Sequence, residues 1–191
     1  MTPKKLVLST RNDHKVREFQ RLLPGLELVG LPDNVELPPE DGSTYAENAL
    51  GKARAAAEAT GCDSIADDSG IEAADLDGAP GIYSARFAGE GASDEENLAL
   101  LEAKASPGSK LEYVCAIALV TAEGAENVFE SRCPGTLAES RSGNRGFGYD
   151  PVFIPDSVEG GLTMADLADE AKDTISHRGL AARKLAEFLA P

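Results

Sequence analysis

Residues 111–133 read LEYVCAIALVTAEGAENVFESRC. Two long strand-like segments meet there at Glu123-Gly124, a pair that signals a hairpin and therefore antiparallel neighbours. Elsewhere the strand-like runs alternate with helical ones, which calls for parallel strands. KKLVLS (4–9) precedes RNDHKVREFQRLL, where Val16, Phe19, Leu22 and Leu23 share one helical side, and LELVG follows as a second strand. The presence of both patterns in one chain supports an α/β fold with a mixed sheet.

Local signals bound the remaining elements. In TYAE, Thr44 and Glu47 match the capping box that opens a helix, and Gly61 stands where a left-handed cap ends it after Ala59. Ala46, Ala49, Leu50, Ala53, Ala56 and Ala57 give that helix a close-packing face. Ser93 and Glu96 repeat the capping spacing before a helix with Leu98, Leu100 and Leu101. A short helix is predicted over Met164 to Asp169. A last one follows Ser176, with Leu185, Phe188 and Leu189 as its apolar face. SIA and IEAADL read as separate strand pieces on either side of Asp67-Asp68. Taken alone, that Asp pair with Ser69 and Gly70 reads as a solvated turn. No repeat, low-complexity tract or linker interrupts residues 1–191, which predicts a single domain.

Composition excludes several classes. The formal net charge of −15 argues against a grip on long nucleic acid, while leaving room for a small polyanion beside a cation. The apolar runs are too short to span a bilayer, and MTPKKLVLST has no cleavable signal pattern. Cys62, Cys115 and Cys133 form no CxxC pair, which suits a reduced, cytoplasmic setting. With only His14 and His177, no histidine pair at metal-ligand spacing, no GxSxG and no P-loop, the chemistry falls to carboxylates, hydroxyls, Lys, Arg and glycine-rich loops. That inventory suits magnesium, which takes oxygen ligands.

Four segments carry the candidate residues. STRNDHK (9–15) sits at a strand-to-helix passage, where Thr10, Asn12 and Lys15 offer anion contacts. SIADDSG supplies the adjacent carboxylates. GNRGFGYDP (143–151) offers Phe147 for stacking, close backbone at Gly146 and Gly148, and Asp150 as an acceptor; DGAPGIYSARFAG (77–89) has similar character, with Tyr83 and Arg86. In SHRGLAARKLAEFLA, His177 and Arg178 occupy the positive first turn of a helix, a position that disfavours cations by up to about 1 kcal/mol unless an anion is near. Lys172 adds a further positive group just upstream.

Taken together, LSTRNDHKVRE, EDGSTYAENALGKA, IADDSGIEAADLDGAPGIYSARFAG, GFGYDPVF and SHRGLAARKL, in that order, resemble the inosine triphosphate pyrophosphatase family. The resemblance implies an α/β fold with a long mixed β-sheet flanked by helices, two lobes with a central substrate cleft, usually a homodimer, and magnesium-dependent hydrolysis of ITP, dITP and XTP to the monophosphate and pyrophosphate. By matched position it makes Asp68 the metal-linked carboxylate that activates water, with Ser69 beside the substrate. Thr10, Arg11, Asn12, Asp13, His14 and Lys15 become the first substrate loop. Glu40 becomes the second metal carboxylate, with Asp41 an alternative in PPEDGS. Phe147, Gly148, Tyr149 and Asp150 match the base-binding segment, and Lys172, His177 and Arg178 the remaining substrate contacts. Glu47, Asn48 and Lys52 belong to the same pattern and are read as support. Arg11 departs from the pattern, which favours a small residue there.

On this reading Lys15, magnesium and Arg178 or Lys172 neutralise the departing pyrophosphate. Amides of 146–150 with His177 and Arg178 recognise the 6-carbonyl of hypoxanthine or xanthine. Two rivals stand beside it: a related pyrophosphatase of different base specificity, and a non-catalytic nucleotide-binding regulator. Neither nucleic acid nor membrane is an expected partner.

Overall fold

The structure, a computed structural model, describes residues 5–190. The predicted start of the first strand at Lys4 lies outside the described residues. Among the described residues six strands form one sheet: β1 (Lys5–Leu8), β2 (Glu27–Gly30), β3 (Ser64–Ala73), β4 (Lys110–Val120), β5 (Glu126–Leu137) and β6 (Phe153–Pro155), in the order β2-β1-β3-β4-β5-β6. β1 pairs in parallel with β2 and β3, whereas β5 and β6 are antiparallel, so the sheet is mixed. Among the described residues five α-helices accompany it: α1 (Asp13–Leu22), α2 (Tyr45–Thr60), α3 (Asp94–Lys104), α4 (Asp169–Ile175) and α5 (His177–Leu189).

Helix boundaries follow their caps. Asn12 accepts the amides of His14 and Lys15 to start α1. Thr44 accepts the Glu47 amide to start α2, and Gly61 ends it in the left-handed region at φ 64°. The Glu47 carboxylate takes the amide of Ser43 at 2.6 Å, so it reaches one residue further back than in a capping box. Ser93 and Glu96 form the full reciprocal box before α3. Ser176 accepts the amide of Gly179 and so caps α5.

Three predicted elements need correction. The Asp pair is no turn: β3 runs without interruption from Ser64 to Ala73, with Asp67 1% and Asp68 5% exposed. The strand then gives way to a 3-10 turn at Ala74–Leu76 instead of continuing through IEAADL. The helix expected over 164–169 is displaced: 164–166 form a turn, 167 a bend, and α4 starts at Asp169, since Met164, Ala165 and Leu167 are taken into the core. Phe188, expected on the apolar face of the last helix, is 53% exposed, its ring centroid 5.4 Å from that of Phe129.

The chain divides into two compact units. One comprises residues through Asp68, Cys115–Ser131 and the residues from Ala181 onward; the other comprises Ser69–Val114 and Arg132–Leu180. In the first, Leu6, Leu8, Phe19, Ile65, Ile117 and Leu185 form a buried cluster, and the alanine face of α2 packs with Ala66, Ala118 and Val120. In the second, Ile71, Leu98, Leu101, Tyr113, Phe153 and Met164 share another.

Candidate functional site

In the first unit, buried carboxylates gather around two lysines. Asp67 Oδ2 lies 3.0 Å from Lys15 Nζ. Asp68 accepts a 2.9 Å hydrogen bond from Asn48 Nδ2 and stands 3.9 Å from Lys52 Nζ. Lys52 also pairs directly with Glu40. Asn48 and Lys52 share one face of α2, as residues four apart must, and Asn48 is held in turn by the amide of Gly42 at 2.8 Å. A Cβ at Gly42 would meet Asn48 Oδ1 at 2.7 Å, so the loop after Glu40 comes this close only because it has no side chain there.

Charge and burial pull these groups in opposite directions. Burial raises the Asp68 carboxyl above its ordinary range, and Glu40 adds repulsion; Lys52, Asn48 and Lys15 offset only part of this. Burial would raise Glu40 too, but the attraction and hydrogen bond of Lys52 outweigh it and hold that carboxyl low. Lys52 is raised, because Asp67, Glu40 and Asp68 together overcome its own desolvation. Asp68, Glu40 and Asp67 thus offer oxygen donors suited to a hard cation. Among the described residues no cluster of three or more His, Cys, Asp and Glu side chains is placed to hold a metal by itself. A divalent ion here would complete its shell with water and ligand oxygens, as magnesium does.

The 10–15 loop behaves less uniformly than predicted. Asn12 Oδ1 is engaged as the α1 cap, and Thr10 Oγ1 accepts the Asn12 amide at 3.2 Å. Arg11 turns its guanidinium onto the carbonyls of Leu31, Pro32 and Val35 at 2.7–3.0 Å, closing the 31–35 loop. That contact gives the arginine a structural purpose where the family pattern favours a small residue. Asp13 is exposed at the helix start, and His14 Nδ1 meets Arg17 at 3.1 Å. Lys15 alone of the six reaches the carboxylates.

In the second unit, Asp150 is the hub. It is 3% exposed. Its Oδ2 accepts from Lys172 Nζ at 2.6 Å and from the Phe147 amide at 3.0 Å, and its Oδ1 from the Tyr113 hydroxyl at 3.1 Å. Lys172 and Arg178 lie 5.4 and 5.7 Å from the centroid of the Phe147 ring, within cation–π range. Arg178 donates to Ser69 Oγ at 2.8 Å. His177 stacks on Tyr113 with centroids 4.4 Å apart and planes 8° from parallel. Tyr149 sends its hydroxyl to the Ser84 carbonyl at 2.7 Å, and Gly148 its amide to Asp94 at 3.1 Å.

The sequence reading assigned Phe147, Asp150, Lys172, His177, Arg178 and Ser69 to substrate contacts, and the second unit brings them together. His177 and Arg178, 5% and 3% exposed, are no solvated pair. Two assignments shift. The amides of Phe147, Gly148 and Asp150 are already hydrogen-bonded within the chain, to Asp150, Asp94 and the Phe147 carbonyl. Lys172 is committed to Asp150 beside the aromatic ring. Asn48 and Lys52, expected as support, both contact Asp68. Tyr113 was missed altogether; within LEYVCAIALV it is one more strand aromatic, and no local signal marks it.

Fold and site together define an α/β protein that carries a buried carboxylate–lysine group and, separately described, an aromatic ring flanked by cations. The model of the Ham1 family matches residues 6–188, and the chain belongs to that family. It is 44% identical to a dITP/XTP pyrophosphatase of Geobacter sulfurreducens, over 97% of this chain and 96% of that one, and 46% identical to one of Frankia alni over the same shares. Among solved structures it is similar to a HAM1 protein from Coxiella burnetii, with a TM-score of 0.84 and 38% identity across 97% of this chain and 98% of that chain.

Proposed function

We propose that this chain hydrolyses non-standard purine nucleoside triphosphates, dITP, ITP and XTP, to the monophosphate and pyrophosphate. The observation that carries the reading is the buried Asp68, held by Asn48 and Lys52 beside Glu40, in a chain more than 40% identical to proteins named for this activity. Asp68 and Glu40 would hold magnesium, which supplies charge neutralisation for the triphosphate and acidifies a bound water. Asp68 accepts the proton of the water whose oxygen attacks the phosphorus next to the ribose. The new P–O bond forms as the bond to the bridging oxygen breaks, and pyrophosphate leaves. Lys15, already aimed by Asp67, meets the negative charge of the phosphates.

Phe147 stacks on the base, with Lys172 and Arg178 lending their charge to its ring. His177 and Arg178, whose donors are buried, face the 6-carbonyl that distinguishes hypoxanthine and xanthine from adenine. Leaving such donors unpaired against adenine is the basis of discrimination, which reaches about 10⁴-fold in sites of this kind. The working form is a cytoplasmic homodimer. Among the described residues no helix is long and apolar enough to cross a membrane.

Incubation of the pure protein with dITP, XTP and dATP in magnesium, with pyrophosphate measured, tests the reading. Release from dITP and XTP but not dATP is expected. Binding without release points to a regulator, and preference for another base to a related pyrophosphatase.

A further inference from the structure

Tyr113 belongs to no predicted substrate segment, yet it touches two of the residues that do and holds a third group through one of them. Its hydroxyl donates to Asp150 Oδ1 at 3.1 Å, while its ring lies flat on His177 at 4.4 Å and against Phe153 at 4.4 Å. Asp150 passes that constraint on, because its other oxygen holds Lys172 and the amide of Phe147. The tyrosine is 6% exposed on β4 and Asp150 is 3% exposed, so neither has water to replace the lost partner.

We infer that Tyr113 is a positioning residue for base recognition: one side chain fixes the Asp150 carboxylate with its hydroxyl and the His177 imidazole plane with its ring. The inference rests on the functional reading above and extends it to a residue outside the family-matched segments. The buried phenol stays protonated, since desolvation and the neighbouring Asp150 both push its titration well up, and so it remains a donor throughout the working pH range. Gly146 shows how tightly the hub is set: a Cβ there would lie 1.9 Å from Asp150 Oδ2. Displacement of that carboxylate is transmitted to Phe147 and Lys172.

Two variants separate the two jobs. Tyr113→Phe keeps the ring and removes the hydroxyl. It is expected to raise KM for dITP, and weaken dIMP binding by calorimetry, about tenfold, with kcat within about threefold. Tyr113→Leu removes the stack as well. Proton NMR in a His14→Gln background isolates the ring signals of His177, since the chain has only two histidines. Those signals stay in place in Tyr113→Phe and move downfield in Tyr113→Leu as the ring-current shielding disappears. A purely structural tyrosine would lower the melting temperature while leaving KM and dIMP affinity untouched, and that result overturns the inference. If the wild-type protein turns over dITP and Tyr113→Phe matches it, the inference alone falls. If the wild type neither binds dIMP nor turns over dITP, the functional reading falls and takes this one with it.

Discussion

The ammonium of Lys15 lies 3.0 Å from Oδ2 of Asp67, while Asp68, the next residue, is served by Asn48 and Lys52. Each member of the buried Asp pair therefore has its own cationic or amide neighbour. Two adjacent carboxylates persist inside a strand because helix α1 delivers one lysine and helix α2 delivers another. The pair divides labour: Asp67 aims a lysine, and burial raises the proton affinity of Asp68 above that of an ordinary aspartate.

The first prediction separates the two aspartates. Asp68→Asn should reduce pyrophosphate release from dITP by at least about a thousandfold, because the proton acceptor is lost. Its circular dichroism should match the wild type. Asp67→Asn should act mainly through Lys15, raising KM about tenfold with a smaller change in kcat. Near-normal turnover in Asp68→Asn removes it from the chemistry.

Metal-free protein offers a test by pH. Glu40 is held low, so its contribution to stability is present above the ordinary glutamate range and is lost as pH falls through the folded value. Asp68 is raised, so its ionised form is disfavoured by folding. Its contribution is best at low pH and declines as pH rises from the ordinary aspartate range through the raised value. With chelator present, Glu40→Gln should lose stability relative to wild type between about pH 4 and pH 7, and Asp68→Asn should gain. Parallel trends in the two melting curves would contradict this assignment.

Gly146 has φ +70°, and a Cβ there would sit 1.9 Å from Asp150 Oδ2 and 3.1 Å from Lys172 Nζ. Gly146→Ala combines backbone strain of about 1–2 kcal/mol with displacement of the buried pair. Denaturant unfolding should register at least that loss, and KM for dITP should rise. Gly148→Ala shares the positive φ, but a Cβ there meets nothing within 4 Å; it should show the strain alone.

Phe147→Ala should raise KM for dITP by about tenfold through lost base stacking while kcat stays close to normal. Steady-state kinetics with dITP checks this, and an unchanged KM excludes Phe147 from base contact.

Much of the architecture was legible in local chemistry. Thr44, Ser93 and Ser176 each announced a helix start because a side-chain oxygen must satisfy amides that the helix leaves open. Gly61 announced an end for the converse reason. The hairpin signal at Glu123-Gly124 and the β–α alternation were enough for a mixed sheet. Local chemistry misled where burial overrode it. Asp-Asp-Ser-Gly has every mark of a turn, and only distant lysines make it tenable within β3. Met164 to Leu167 carries helical preference, but the core takes those side chains as turns.

The sequence alone determined where most helices begin, that the sheet is mixed, which carboxylates, lysines and aromatics are available, and the family to which their order points. Tertiary structure decided their partners: Asp68 with Asn48 and Lys52, Asp150 with Lys172 and Tyr113, Arg11 with the 31–35 carbonyls. The division has one physical cause. Caps and periodicity act within a few residues and are written in adjacent letters, whereas a buried charge is stabilised by whichever group folding brings to it from far along the chain.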